Sequence, residues 1–71
     1  MLDIYKNIAA RRKQLGMTQR ELSDLLGYKS ASSIADIENG KVDLPVSRVI
    51  SFAKALNTTV PDLFGWTSSK P

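Results

Sequence analysis

Residues 17–27, MTQRELSDLLG, and residues 34–40, IADIENG, decide the fold of this chain. In the first stretch, Thr18 and Glu21 form a capping box, because each side chain can accept a hydrogen bond from the other residue's backbone N–H where a helix begins. Gly27 is expected to end this helix 2 in a left-handed conformation. The apolar stripe of helix 2 is predicted to consist of Leu22, Leu25 and Leu26.

The second stretch predicts helix 3, which follows a turn over residues 28–30. Ser30 or Ser32 could be the N-cap residue, and Ser30 is preferred because Ile34 and Ile37 then face the core with Glu38. The helix should run to about residue 39, where an Asn-Gly pair stops it. Two short helices joined by a tight turn, the second exposing small polar side chains, are the layout of a module that reads duplex DNA.

Three further helices are predicted on either side of this pair. Helix 1 should begin after Asp3 and end at Gly16, with an apolar face of Ile4, Ile8 and Leu15. Helix 4 should hold Pro45 in its first turn. Its apolar face is predicted to consist of Val46, Val49, Ile50, Ala53 and Leu56, with Phe52 at the margin. Helix 5 should be short, with Thr59 as its N-cap and Gly65 at its end.

No segment alternates between apolar and polar residues as a strand does. The sequence therefore predicts an all-α fold, a compact five-helix bundle around one core. Residues 1–66 are expected to form this single domain. Residues 67–71 are small and polar, which is typical of a frayed tail or the start of a linker.

The composition argues against several classes of protein. The chain has 71 residues and contains neither cysteine nor histidine, so disulfides and the commonest metal ligands and general bases are missing. Its carboxylates do not form a pair with a pocket, so we expect no enzyme, metal, cofactor or small-molecule substrate. No signal peptide and no apolar run of about 20 residues is present, so we expect a cytoplasmic protein without membrane contact.

The charge distribution is compatible with a nucleic-acid partner. The formal net charge is +3, from 10 basic and 7 acidic residues. Five basic residues stand against a single acidic one in the first twenty positions: Lys6, Arg11, Arg12, Lys13 and Arg20. A phosphate-facing surface needs such clustering, although small soluble domains also carry spare lysines. Arg11 and Lys13 are expected to be solvated charges rather than specific contacts.

The combined motifs resemble those of the lambda-repressor/Cro-type helix-turn-helix family over roughly residues 4–65. They are Thr18-Gln19-x-Glu21-Leu22, Ile34-x-x-Ile37-Glu38-Asn39-Gly40-Lys41 and Ala53-Lys54-Ala55-Leu56. Residues 26–30 and 63–66 are most similar to the N-terminal DNA-binding domains of temperate-phage repressors of Gram-positive hosts. The turn between helices 2 and 3 is one residue longer than in the commonest family pattern.

The start and outer face of helix 3 are the predicted base-reading surface, because a recognition helix enters the major groove with its N-terminal residues at the base edges. The candidates are Lys29, Ala31, Ser32, Ser33 and Asp36. Serine can donate to or accept from a base, and an alanine methyl can pack on a thymine methyl. Lys29 could pair with guanine or with a phosphate. Asp36 could accept from cytosine or simply face solvent.

The resemblance also implies a set of phosphate contacts: Arg12, Gln19, Ser30, Asn39 and Lys41. Gln19 stands in the first turn of helix 2, where backbone N–H groups and the helix dipole favour an anion. Asn39 and Lys41 lie in the loop that family members place against the DNA backbone, and the helix stop there is expected to expose N–H groups for phosphate. An ordinary structural role, in the first turn or at the stop, is the alternative for each.

Two further features are implied by the resemblance. The family pairs an arginine and a glutamate at positions that match Arg12 and Glu38, as an internal ion pair that orients helix 1 against helix 3. The family also dimerises through its C-terminal end, where this chain has Val60, Phe64 and Trp66. Core packing is the alternative reading of these three side chains, and it is favoured for Phe64.

The predicted function is sequence-specific binding of double-stranded DNA by a phage-type transcriptional repressor. Two copies would form a homodimer on DNA, each with helix 3 in the major groove of a pseudo-palindromic operator. An antitoxin or a restriction-modification controller on the same fold is a second interpretation. A protein-interaction module that has lost DNA readout is a third, because helix 3 lacks the arginine and glutamine that usually read bases.

Overall fold

The computed structural model describes residues 4–65 and folds them into five helices. They are α1 (Ile4–Gln14), α2 (Gln19–Leu26), α3 (Ala31–Glu38), α4 (Val46–Ala55) and α5 (Val60–Phe64). These residues contain no strand, and the predicted all-α five-helix fold is confirmed. The predicted cap Asp3, the dimer candidate Trp66 and the tail at residues 67–71 lie outside the described residues.

The helix ends follow the sequence signals where those signals are strong. The Thr18 hydroxyl accepts a hydrogen bond from the Glu21 backbone N–H at 3.0 Å, and the Glu21 carboxylate accepts one from the Thr18 backbone N–H at 2.8 Å. Gly27 and Gly65 close α2 and α5 with φ angles of 78° and 75°, a region that favours glycine. Thr59 caps α5 by accepting from the backbone N–H of Asp62.

One predicted cap position is wrong, and a second cap residue, correctly predicted, makes no side-chain bond to its helix. Pro45 is the N-cap residue of α4 and lies outside its first turn, so the helix begins at Val46. Ser30 is the N-cap residue of α3 by position, yet its hydroxyl lies 2.7 Å from the hydroxyl of Ser32 and does not bond the helix backbone. The start of α3 is therefore held by other groups.

The core lies where all five helices converge. α3 packs against α1 and α2, α4 packs against α2 and α5, and α1 also contacts α5. The buried apolar side chains are Ile8, Leu22, Ile34, Ile37, Val49, Phe52, Ala53, Leu56 and Leu63. Because Ile34 and Ile37 of α3 pack into this core, the opposite side of α3 faces outward and is held in place by the packing behind it.

Several residues that the periodicity assigns to the core are exposed. Leu25 is 62% exposed because the buried side of α2 includes Ser23, and Leu25 projects roughly opposite to it around the helix. Leu15 is exposed because α1 ends one residue before it. On α4 the buried face is centred on Phe52, which was expected at the margin, so Val46 and Ile50 are exposed.

The difference between Leu22 and Leu25 gives a direct stability test. Leu22 is fully buried, so Leu22→Ala should lower the free energy of unfolding by about 3 kcal/mol through lost burial and a residual cavity. Leu25→Ala, on the same helix, should cost less than about 0.5 kcal/mol. Urea unfolding followed by circular dichroism measures both, and similar costs for the two variants would contradict the described packing of α2.

Candidate nucleic-acid interface

The outer side of α3 carries all of the predicted base-reading side chains of that helix. Ser32 and Asp36 are exposed, and Ala31 and Ser33 are half-buried. Asp36 lies one helical turn beyond Ser32 and Ser33, so the three share one surface. Lys29 is exposed in the preceding turn. The structure therefore brings the five candidates together on one supported surface, where their base contacts stay predictions.

A carboxylate joins three elements behind this surface. The Glu38 side chain, at the end of α3, accepts hydrogen bonds from Arg12 Nε at 2.7 Å and from Arg12 Nη2 at 3.2 Å. It also accepts one from Gln19 Nε2 at 3.0 Å. The ion pair that the resemblance implies is thus present, and it is almost enclosed, with side-chain exposures of 10% for Arg12 and 7% for Glu38.

This network limits what its members can offer to a phosphate. Arg12 also donates from Nη1 to the Met17 carbonyl at 2.8 Å, so three of its five N–H groups are used inside the protein. Gln19 uses one amide hydrogen on Glu38 and keeps a second, together with its carbonyl oxygen. Glu38 therefore holds the Gln19 amide in one orientation at the start of α2.

The loop after α3 differs from the expectation in one respect. Gly40 has the left-handed φ of 74° that the helix stop predicts. The backbone N–H groups of Asn39, Gly40 and Lys41 donate to carbonyls of Ala35, Ile37 and Asp36, respectively, so the predicted exposure of these N–H groups to phosphate is wrong. A Gly-closed helix end satisfies its own carbonyls with the following amides. Only the exposed side chains of Asn39 and Lys41 stay candidates.

Arg11 is a structural residue, and its predicted role as a solvated charge is wrong. Its Nε donates to the Leu56 carbonyl and its Nη2 to the Asn57 carbonyl, both at 2.9 Å. A guanidinium at the end of α4 complements the partial negative charge of that helix terminus. Arg11 thus ties α1 to the turn before α5, although nothing in its charge pattern distinguishes it from Lys13.

Ser23 is a residue that the sequence interpretation overlooked. It has no exposed surface, and its Oγ donates to the Ser30 carbonyl at 2.9 Å and lies 3.4 Å from the Tyr28 carbonyl. The signal that could have found it is its position between Leu22 and Leu26 on the buried side of helix 2. A serine at such a position needs an internal hydrogen-bond partner.

The proposed dimer end is only partly visible. Val60 and Phe64 are half-buried and pack against the core, while Trp66 lies outside the described residues. Their dimer contacts stay predictions. Among the described residues, no group of three or more potential metal ligands is found, and none of the helices has the length and apolar composition that a membrane span requires.

Comparison with known proteins gives three findings. Residues 8–63 match the model of a family described as helix-turn-helix. The chain is 33% identical over 63 residues to the competence pilus inhibition repressor of Acinetobacter baylyi, covering 89% of this chain and 56% of that protein. It therefore spans about half the length of this relative.

The third finding concerns the fold. The crystal structure of the P22 c2 repressor protein, in complex with synthetic operator 9T in the presence of Tl+, superposes with a TM-score of 0.79 at 24% identity. The match covers 93% of this chain and 98% of that chain. At this identity the likeness shows the shared fold alone.

The enclosed ion pair is open to a double-mutant test. Arg12→Met leaves the Glu38 carboxylate buried without its cation and should lower the free energy of unfolding by about 3 kcal/mol. Adding Glu38→Leu should recover most of that loss, because a buried pair can be replaced by apolar side chains.

The exposed pair Arg20–Asp24 serves as the control, with side-chain exposures of 69% and 64%. Arg20→Ala should cost less than about 0.5 kcal/mol. Thermal unfolding by calorimetry measures the free energy of unfolding of these three variants. If Arg12→Met cost no more than Arg20→Ala, the pair would not hold α1 against α3.

Proposed function

This chain belongs to the helix-turn-helix family, and we propose that it is a sequence-specific DNA-binding regulator of transcription. The family and the fold are those of DNA-binding regulators. The observation that carries the proposal is the outer side of α3. Its inner side is anchored by Ile34 and Ile37, and its outer side offers small polar groups on a rigid support.

The chemistry of α3 suits close approach to base edges. Ser32 and Ser33 can donate to or accept from bases, and the methyl group of Ala31 can pack on a thymine methyl. Asp36 can accept from the amino group of cytosine. Because none of these side chains makes a bidentate contact to guanine or adenine, DNA shape and backbone contacts supply part of the specificity.

Phosphate contacts surround this surface. Gln19 begins α2, where the first-turn amides face outward and attract an anion. The side chains of Lys29 and Lys41 are exposed before and after α3. The side chains of Ser30 and Asn39 are uncharged donors to phosphate. Arg12 contributes less, because only two of its N–H groups are not used inside the protein. Such contacts fix the position of a protein on the duplex.

The finer proposal is a phage-type repressor that acts as a homodimer. Two copies would place α3 in successive major grooves about one helical turn apart, so the operator would be a pseudo-palindrome. Val60, Phe64 and Trp66 are the proposed contacts between copies. The P22 c2 repressor, which shares the fold, is bound to a synthetic operator, and the relative from Acinetobacter baylyi carries the name of a repressor; both support the repressor part of this proposal.

A second candidate function is a protein-interaction module on the same fold. The observation that favours it is Asp36, an exposed carboxylate on the surface that would face phosphates. A carboxylate there is repelled by the phosphates unless a base amino group donates a hydrogen bond to it.

Affinity selection of the chain against a random duplex library at moderate salt distinguishes the two functions. Enrichment of a two-fold symmetric site with half-sites about one turn apart is the result expected for the regulator. If no motif emerges and binding to bulk duplex is negligible, the DNA-binding proposal is wrong and protein partners should be sought.

Lys41 provides a test of the phosphate contacts. Lys41→Gln should weaken binding to all duplexes by a similar factor, and it should reduce the slope of log affinity against log salt by about 0.9, the value for one phosphate. Lys54→Gln removes the same charge from the exposed side of α4 and should leave the slope nearly unchanged. Equal slopes for the two variants would mean that Lys41 contributes only through net charge.

A further inference from the structure

Ser23 is a fully buried polar side chain at the junction of α2, the turn and α3. A hydroxyl has one proton, so its strong hydrogen bond goes to the nearer acceptor, the Ser30 carbonyl at 2.9 Å. The Tyr28 carbonyl, at 3.4 Å, is a secondary contact. Ser23 therefore joins the middle of α2 to the N-cap residue of α3.

The backbone of Ser23 holds the other end of the same turn. Its carbonyl accepts a hydrogen bond from the Tyr28 N–H at 3.0 Å, after Gly27 has reversed the chain in a left-handed conformation. The centroid of the Tyr28 ring lies 6.2 Å from that of the Phe52 ring. The guanidinium carbon of Arg48 lies 4.8 Å from the centroid of the Tyr28 ring. The turn is thus fixed at Tyr28 by backbone and ring contacts, and at Ser30 by the hydroxyl of Ser23.

The start of α3 depends on that second attachment. The Ser30 side chain does not cap the helix, since it pairs with the Ser32 hydroxyl. The Ser30 carbonyl accepts from the Ser33 N–H at 3.2 Å and from Ser23 Oγ, so it links the first turn of α3 to α2. Lys29, between the two attachments, is exposed. Movement of the Ser30 carbonyl would move residues 29–33 together.

We infer that Ser23 is a positioning residue that sets where residues 29–33 stand relative to α2, and thereby which bases they can reach. The inference rests on the proposed function, because it assigns base preference to a side chain that touches no DNA. Recognition groups must be held within about 0.5 Å of their productive geometry by the residues behind them. The hydrogen bond from the Ser23 hydroxyl to the Ser30 carbonyl supplies this restraint at the start of α3.

The test uses Ser23→Ala, which removes only the hydroxyl oxygen. The variant should fold, because the Ser30 carbonyl keeps its bond from the Ser33 N–H. Well below its melting temperature, amide hydrogen exchange at residues 29–33 should become faster by roughly tenfold, a sign of local opening.

Affinity for the duplex selected by the wild-type chain should fall about tenfold, on the order of one lost base contact. Affinity for an unrelated duplex should change by less than about twofold, since phosphate contacts dominate it.

Two control variants separate positioning from stability. Ser51→Ala removes a hydroxyl that bonds only within α4, to the Ser47 carbonyl at 3.3 Å, and should change neither readout. Ala53→Gly destabilises α4 at a buried position away from the turn. It should leave the ratio of specific to non-specific affinity unchanged. An equal fall of that ratio in Ala53→Gly and Ser23→Ala would overturn the positioning role.

The two readouts keep this inference apart from the proposed function. If the wild-type chain selects no duplex, the proposed function fails, and the base-preference part of the inference fails with it. If the chain selects a duplex while Ser23→Ala keeps both the affinity ratio and the exchange rates, the inference alone is wrong. Faster exchange at residues 29–33 together with a lower affinity ratio establishes Ser23 as a positioning residue.

Discussion

The packing of α3 depends on the carboxylate of Glu38, which is held from two sides. Arg12 reaches it from α1 and Gln19 from α2, so a single acidic group fixes three helices relative to one another. A nearly enclosed carboxylate is tolerated only with such partners, because an unpaired buried charge costs several kcal/mol. The geometry of the outer side of α3 is therefore coupled to groups on its inner side.

Hydrogen bonds from polar side chains help to set how the helices of this small domain are oriented relative to one another. A domain of this size buries a modest apolar core, so the mutual orientation of its helices relies on directional contacts as well as on packing. Arg11 ties α1 to the end of α4, and Ser23 ties α2 to the start of α3. Hydrogen bonds have fixed directions, whereas apolar contacts allow sliding, so these residues specify angles that Ile34 and Ile37 cannot specify alone.

The sequence predicted the elements well because their signals are local. The Thr18–Glu21 capping box and the glycines at positions 27 and 65 act within four residues. The capping box predicted where α2 begins, and the two glycines predicted where α2 and α5 end. The exposure of Leu25 and the central burial of Phe52 were not predicted. The spacing of apolar residues defines an apolar face of a helix, but it does not show which part of that face contacts a neighbouring helix. The position of Ser23 on the buried side of helix 2 predicts an internal partner, but neither this partner nor those of Arg11 can be identified from the sequence, because the acceptors are backbone carbonyls that every residue has.

The hydroxyls of Ser30 and Ser32, 2.7 Å apart, have a consequence of their own, because either oxygen can be the donor. Rotation of both hydroxyls about their Cβ–Oγ bonds exchanges the two roles, so the start of α3 can present two patterns of donors and acceptors. A base edge that meets this pair can impose either pattern without moving the backbone. In the proposed DNA-binding role, such a pair would tolerate more than one base at the position it contacts, so its discrimination would be graded rather than absolute.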